Sequence, residues 1–232
     1  PVPGLKIHDP YWNAELDRSG RFQSFFGIFE VGQPQPVVFR TDSFAGPTWY
    51  GRWDGSEKKL RLRQVEAGKP AYEIVRDGIR FRIEYREEQG GRTAIVATAT
   101  NTTGKPWKPE TAGLQLGLDT WMEKWPDWNQ RFFPTLLRCE KTHFWGYAMA
   151  PDGRILVIAS PDPVASWSVD YNGAGHRIFT LNLDLLNAGP LPARHPQNLD
   201  TLAAGETRSW QVYLAPCDNL QRVPALAASL AQ

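Results

Sequence analysis

Two short runs around Asp77–Gly78 constrain this chain more than any other feature. Tyr72 to Val75 leads into the dipeptide and Ile79 to Tyr85 leads out. In the second run Ile79, Phe81, Ile83 and Tyr85 take alternate positions, with Arg80, Arg82 and Glu84 between them. A period of two puts the two sets on opposite faces of a strand. Asp-Gly suits a two-residue hairpin turn, whose central residues need positive φ. Gly90–Gly91 then returns the chain into Thr93 to Thr100. Three neighbouring antiparallel strands with one polar side need a core on the other.

The same punctuation continues in both directions. Phe22 to Val31, Val37 to Thr41 and Thr48 to Trp53 read as strands, and Asp54–Gly55 is a second hairpin turn. Lys59 to Val65 alternates as one strand, with Leu60, Leu62 and Gln64 on one side and Arg61 and Arg63 on the other. Ala112 to Leu118, His143 to Ala148, Arg154 to Ser160, Ala165 to Val169, Arg177 to Leu185 and Thr207 to Leu214 follow, the His143 and Arg154 runs pairing across Pro151–Asp152–Gly153. No long helical pattern alternates with them, which argues against an α/β fold. The expected fold is all-β, a large antiparallel sandwich of about 12–14 strands, more than a minimal immunoglobulin-like sandwich holds. A short helical or irregular insertion is expected near 121–136. The expected division is a sandwich domain over 1–219 and an Ala/Leu-rich tail over 220–232, a short helix or the start of a linker.

Composition narrows the function classes. The chain has 232 residues, 41% of them hydrophobic, with formal net charge +1. There is no Lys/Arg tract to suggest a nucleic-acid partner and no apolar run long enough to suggest a membrane span. Ten tryptophans, seven tyrosines and eleven phenylalanines are an unusual load. Some of these large amphipathic rings are expected on a binding surface, where a sugar ring can stack.

Four of the ten tryptophans fall between Leu118 and Met149, where the candidate chemistry also lies. Trp121, Trp125 and Trp128 are spaced four and three apart, which on a helical turn gives one shared side. Glu123 and Asp127 are four apart and lie together beside it. Rings that stack on a sugar, flanked by carboxylates that accept its hydroxyls, make a saccharide site. Packing of those rings over the end of the sandwich is the competing account. Arg138, Glu140, Lys141, His143 and Trp145 come next. On a strand beginning at Leu137, Cys139, Lys141 and His143 share one face and Arg138 and Glu140 the other. Arg138 and Lys141 suit a uronate carboxylate. Glu123, Asp127 and Glu140 are the carboxylates available for a glycosidase pair, and His143 or Lys141 could serve as the base of a lyase. An ordinary ion-pair network on a sheet explains the same residues. Arg194 and His195, in the proline-containing loop from Asn187 to Asp200, are further ligand candidates.

Other motifs are absent. The four histidines are scattered, with no zinc-binding spacing. No phosphate-cradling glycine loop or nucleophile elbow occurs. No cofactor is expected; a structural calcium ion could use turn acids such as Asp54 or Asp152. Cys139 and Cys217 are compatible with one disulfide or with two free thiols.

Three stretches resemble the large β-supersandwich of carbohydrate-active enzymes, the type found in galactose-mutarotase-like domains. They are Ala99-Thr100-Asn101-Thr102-Thr103-Gly104-Lys105-Pro106-Trp107, then Gly113-Leu114-Gln115-Leu116-Gly117-Leu118, and Leu202-Ala203-Ala204-Gly205-Glu206-Thr207-Arg208-Ser209-Trp210. In glycoside hydrolases and polysaccharide lyases such a domain often precedes an (α/α) helical toroid. The resemblance implies a sandwich domain of a polysaccharide-degrading enzyme, contributing substrate contacts and domain packing. The implied partners are an oligo- or polysaccharide, acidic or neutral, and a C-terminal helical domain of the same polypeptide. The expected location is secreted or periplasmic. A stand-alone mutarotase- or lyase-type enzyme and a non-catalytic carbohydrate-binding module are the alternatives. No catalytic residue transfers from the resemblance.

Overall fold

The structure, a computed structural model, describes residues 5–7, 23–26, 38–40, 48–88, 92–119, 135–140, 143–149, 155–172, 178–189 and 199–231. These form two antiparallel sheets of eight strands each. The first sheet runs β1 (Leu5–Ile7), β2 (Gln23–Phe26), β3 (Val38–Arg40), β10 (Thr111–Asp119), β15 (Ile178–Leu186), β14 (Ser166–Asn172). On it, β4 (Thr48–Trp53) also pairs with β10, and β5 (Ser56–Arg61) pairs with β4. The second sheet runs β11 (Thr135–Glu140), β12 (His143–Met149), β13 (Ile155–Pro163), β16 (Thr207–Cys217), β9 (Arg92–Asn101), β8 (Ile79–Glu88), β7 (Ala71–Arg76), β6 (Arg63–Gln64). The all-β sandwich expected from the sequence is the fold. Its sixteen described strands exceed the expected number because β1 and β11 add to the expected runs and the Lys59–Val65 run divides between β5 and β6.

The turn chemistry works as the residues dictate. Asp77 and Gly78 have φ of 53° and 75°, and Asp54 and Gly55 have 53° and 71°, so both hairpins turn through paired left-handed residues. Trp53 Nε1 donates to Asp77 Oδ2 at 3.1 Å and ties one hairpin to the other across the sandwich. Ile79, Phe81, Ile83 and Tyr85 are all buried. Their neighbours Arg80, Arg82, Glu84 and Arg86 face solvent and pair along the outer side, where exposure leaves each pair worth little.

One expected strand is two. The alternation from Lys59 to Val65 spans β5 in the first sheet and β6 in the second, with the break at Leu62. Leu60 and Leu62 are both buried in the shared core, so a chain crossing between the sheets keeps its period of two.

The core between the sheets is built on aromatics. Trp49 packs on Phe81 at 5.1 Å and on Trp210 at 6.5 Å; Trp53 stacks on Phe81 and meets Trp107 edge-on at 5.3 Å. Such pairs add about 0.5–1.5 kcal/mol each beyond the area they bury. The described tryptophans are core or core-flanking residues; Trp121, Trp125 and Trp128 lie outside the described residues.

The tail is helical and packed. Asn219 caps a single 3-10 turn by accepting from Gln221 N at 2.8 Å. Helix α1 (Val223–Leu230) follows, with proline in its first turn, where a missing N–H costs nothing. Val223, Ala227 and Leu230 fall on one face and bury against Ile155, Val157, Ala159, Ala215 and Cys217 on the outer side of the second sheet. Cys217 is buried and unbridged, and its thiol donates to Asn219 O. Register places Cys139 opposite Phe144, three strands from Cys217 and near the other end of β12, far beyond disulfide reach.

Two of the resembling stretches meet in space. Trp107 and Leu202 exchange both backbone hydrogen bonds at 2.9 Å, and Asn101 N donates to Glu206 O at 2.9 Å.

Candidate functional site

Most of the sequence-derived site residues lie outside the described residues. These are Trp121, Glu123, Trp125, Asp127, Trp128, Lys141, Arg194 and His195. Asp152, named for calcium, lies outside them too, and Asp54 is an exposed turn residue. The remaining four are brought together by one edge hairpin of the second sheet. Arg138 sits opposite Trp145, and Glu140 opposite His143. The strand expected to run through His143 instead ends at Glu140 and restarts as β12, so the predicted split of these residues between two faces does not apply. Directly opposed residues share a face of an antiparallel pair. Trp145 is half-buried and packs with Tyr147, Tyr213 and Leu226 against the core beneath α1. Packing occupies it there.

Sequence reasoning missed a polar arrangement on the outer side of the first sheet. Strand alternation turns Ala112, Leu114, Leu183 and Leu185 into the core. Gln115 on β10, Asn182 on β15 and Ser168 on β14 occupy one cross-strand row facing the other way. Gln115 Nε2 donates to Asn182 Oδ1 at 2.9 Å, and Asn182 Nδ2 donates to Ser168 Oγ at 3.1 Å. Ser168 is exposed, whereas Asn182 and Gln115 are 5% and 7% exposed. The row therefore runs from solvent to a buried end. At that end Gln115 Oε1 has no hydrogen-bond partner among the described residues.

A second row lies alongside. Ser166 Oγ donates to Asp184 Oδ2, and Asn187 Nδ2 donates to Ser166 Oγ at 3.1 Å. Asn187 Oδ1 in turn accepts from Gly189 N at 2.8 Å. Opposite Asp184 on β10 stands Gly113, which offers no side chain. Burial pushes the Asp184 carboxyl above the ordinary carboxylate range, and the Ser166 hydroxyl offsets this only in part. The linkage sign follows. A raised folded-state pKa leaves full stability below the unfolded value and removes stability as pH rises through the folded value. Asp184→Asn keeps an acceptor for Ser166 and removes the charge. Its melting temperature relative to the parent is expected to rise between pH 3 and pH 7. A difference that stays flat over this range would show that Asp184 does not titrate abnormally.

Together the rows form a small-residue, amide- and hydroxyl-rich surface with one partly buried acid. Such groups recognise hydroxyls by direct hydrogen bonds. Among the described residues no group of three or more His, Cys, Asp or Glu is placed to hold a metal ion, and no helix is long and apolar enough to cross a membrane.

No family model matches the chain, and no curated protein matches it in sequence. Its fold is similar to that of a solved structure entitled a polysaccharide lyase, with a TM-score of 0.52 and 13% sequence identity. The likeness covers 79% of this chain and 27% of that one, so the chain spans about a quarter of the structure it matches. At that identity the match establishes the sandwich architecture alone.

Proposed function

We propose that this chain is the β-sandwich domain of a polysaccharide-degrading enzyme and that it contacts saccharide through the outer side of the first sheet. The observation that carries the reading is the Gln115–Asn182–Ser168 row, a chain of hydrogen-bonding side chains leading from solvent to a buried free acceptor. Buried acceptors are almost always paired, and a saccharide hydroxyl would supply the donor that this one lacks. The fold's likeness to a polysaccharide lyase supports the substrate class. A chain that spans only about a quarter of that structure fits a domain working beside others. In this reading a helical domain C-terminal to α1 completes a secreted or periplasmic enzyme.

The test is affinity electrophoresis of the purified chain in gels cast with different polysaccharides, beside Ser168→Ala and Trp145→Ala. Ser168 is exposed and its loss leaves the fold intact, so retardation is expected to weaken severalfold through that change. Trp145→Ala, on the other sheet, is expected to leave it unchanged. Absence of retardation in every polysaccharide would overturn the proposal. Retardation lost only with Trp145→Ala would move the contact to the edge hairpin with Arg138, Glu140 and His143.

A further inference from the structure

We infer that the outer side of the second sheet is a surface for a linear polyuronate, held along β8 by Arg80, Arg82 and Arg86. The polymer class rests on the saccharide reading above, but the surface is separate from the row on the first sheet. Between the buried Ile79, Phe81, Ile83 and Tyr85, β8 turns arginine and glutamate outward. Arg80 Nε lies 3.4 Å from Glu73 Oε1 on β7. Arg82 lies 3.8 Å from Glu73 Oε2 and donates to Glu84 Oε2 at 3.4 Å. Arg86 Nε donates to Glu84 Oε1 at 2.8 Å. The result is one chain of pairs, Arg80–Glu73–Arg82–Glu84–Arg86, with a guanidinium at each end. Its two ends stand about 20 Å apart along the strand. Arg63 on β6, opposite Glu73, is exposed beside it.

The pattern suits a polymer that carries both acids and hydroxyls. The cations stand outermost: the side chains of Arg80 and Arg86 are 51% and 54% exposed, those of Glu73 and Glu84 32% and 28%. Arg80 and Arg86 both pair through Nε. Their terminal amino groups have no partner among the described residues and can fork onto a carboxylate. Pairing also holds these long side chains in place, so less ordering remains when a ligand binds. The glutamates between them accept sugar hydroxyls but repel a backbone charged at every unit, which favours a uronate over a polyphosphate or a nucleic acid. Hydroxyls continue the surface. Arg82 stands opposite Thr98 and Arg80 opposite Thr100, which in turn face Ser209 and Thr207 on β16. Thr98 Oγ1 and Ser209 Oγ are 2.8 Å apart, and Thr100 Oγ1 and Thr207 Oγ1 3.0 Å. Helix α1 packs at the other end of β16, against Ala215 and Cys217, and Ser209 and Thr207 are exposed.

Titration calorimetry on the full chain carrying Ser168→Ala tests this surface with the first sheet's row impaired. The probes are oligogalacturonate, the same oligomer with its carboxyls reduced to alcohols, and inorganic polyphosphate. Oligogalacturonate is expected to bind, and the reduced oligomer to bind at least tenfold more weakly. Adding Arg80→Gln with Arg86→Gln is expected to weaken oligogalacturonate about tenfold at an unchanged melting temperature, since exposed pairs add little to stability. Glu84→Gln is the second, independent variant. It frees Arg82 and Arg86 from their anchor and is expected to weaken oligogalacturonate severalfold while strengthening polyphosphate. Tighter binding of both would mean general attraction for anions and overturns the inference. Equal binding of the acidic and reduced oligomers overturns it, as does oligogalacturonate binding that the arginine changes leave intact. Uronate binding present in the unaltered chain and lost with Ser168→Ala alone would place the acid on the first sheet, overturning the inference and keeping the saccharide reading. Binding of neutral oligomers without uronates has the same consequence. Failure of the unaltered chain to bind any saccharide overturns both.

Discussion

Gly113→Ala is expected to cost about 4 kcal/mol or more, enough to lower the melting temperature of a chain this size by roughly 8–16 °C. The reason is space. A Cβ at position 113 would stand 1.8 Å from the carbonyl oxygen of Leu183, 2.8 Å from the nitrogen of Leu185 and 2.9 Å from the carbonyl carbon of Leu183. All three are backbone atoms, so no side chain can rotate away. The crowding comes from the irregularity in the β10–β15 register, where Ala112 pairs with Leu186 but Gly113 with Asp184. The extra residue, Leu185, still buries in the core together with Leu183 and Leu186. To admit a methyl group β15 would have to retreat, and those three leucines would lose their packing. The same movement would drag Asn182 away from Gln115. Gly104→Ala is the control: nothing lies within 4 Å of its added Cβ, and a change within about 0.5 kcal/mol is expected. Thermal and urea unfolding of the two variants provide the comparison. Equal, small effects would mean that β10 and β15 can part without loss, against the close approach described.

The strands were legible where side-chain period and turn chemistry agree. Asp77–Gly78 with Ile79 to Tyr85 carries both signals, and β7, β8 and β9 follow as expected. Alternation reports which way a residue points and nothing about which sheet it joins, which is why the passage from β5 to β6 was hidden. It is equally silent on what covers an outward-facing residue. Gln115, Asn182 and Ser168 look in sequence like ordinary solvent positions on three separate strands. Their alignment depends on registers set by strands far apart in the chain. One local sign was present in Gly113-Leu114-Gln115-Leu116-Gly117-Leu118, where glycines bracket a glutamine on the outward face. The tryptophan count was less informative. An aromatic count cannot separate rings that stack on a ligand from rings that build a core, and Trp49, Trp53 and Trp210 belong to the core.

Asn101→Asp is expected to be more damaging at pH 7 than Asn101→Ala, although it changes only one atom of the side chain. Asn101 is fully buried where the turn after β9 meets the segment leading into β16. Its Nδ2 donates to the carbonyl oxygens of Lys105, Leu202 and Ala203 at 2.7, 3.2 and 3.1 Å. Its Oδ1 accepts from Thr103 N at 2.9 Å and from Thr103 Oγ1 at 2.7 Å. Alanine leaves both sets unmade, a loss of about 2–4 kcal/mol for several buried polar groups. Aspartate keeps the Thr103 contacts but turns a charged oxygen towards three carbonyl oxygens. Burial without a cation then adds to that repulsion, and a loss of about 3–5 kcal/mol or more is expected. The sign with pH separates the mechanisms. Burial and the facing carbonyls raise the folded-state pKa of an aspartate here, so the penalty grows as pH rises from the unfolded value through the folded one. Below that window the acid is neutral and restores one donor. Urea unfolding at pH 4 and pH 7 should therefore show Asn101→Asp recovering relative to Asn101→Ala on acidification. Equal losses at both pH values would mean that the carbonyl cage is not what the asparagine satisfies. Recovery would establish the clamp that fixes the approach to β10, the strand that carries Gln115.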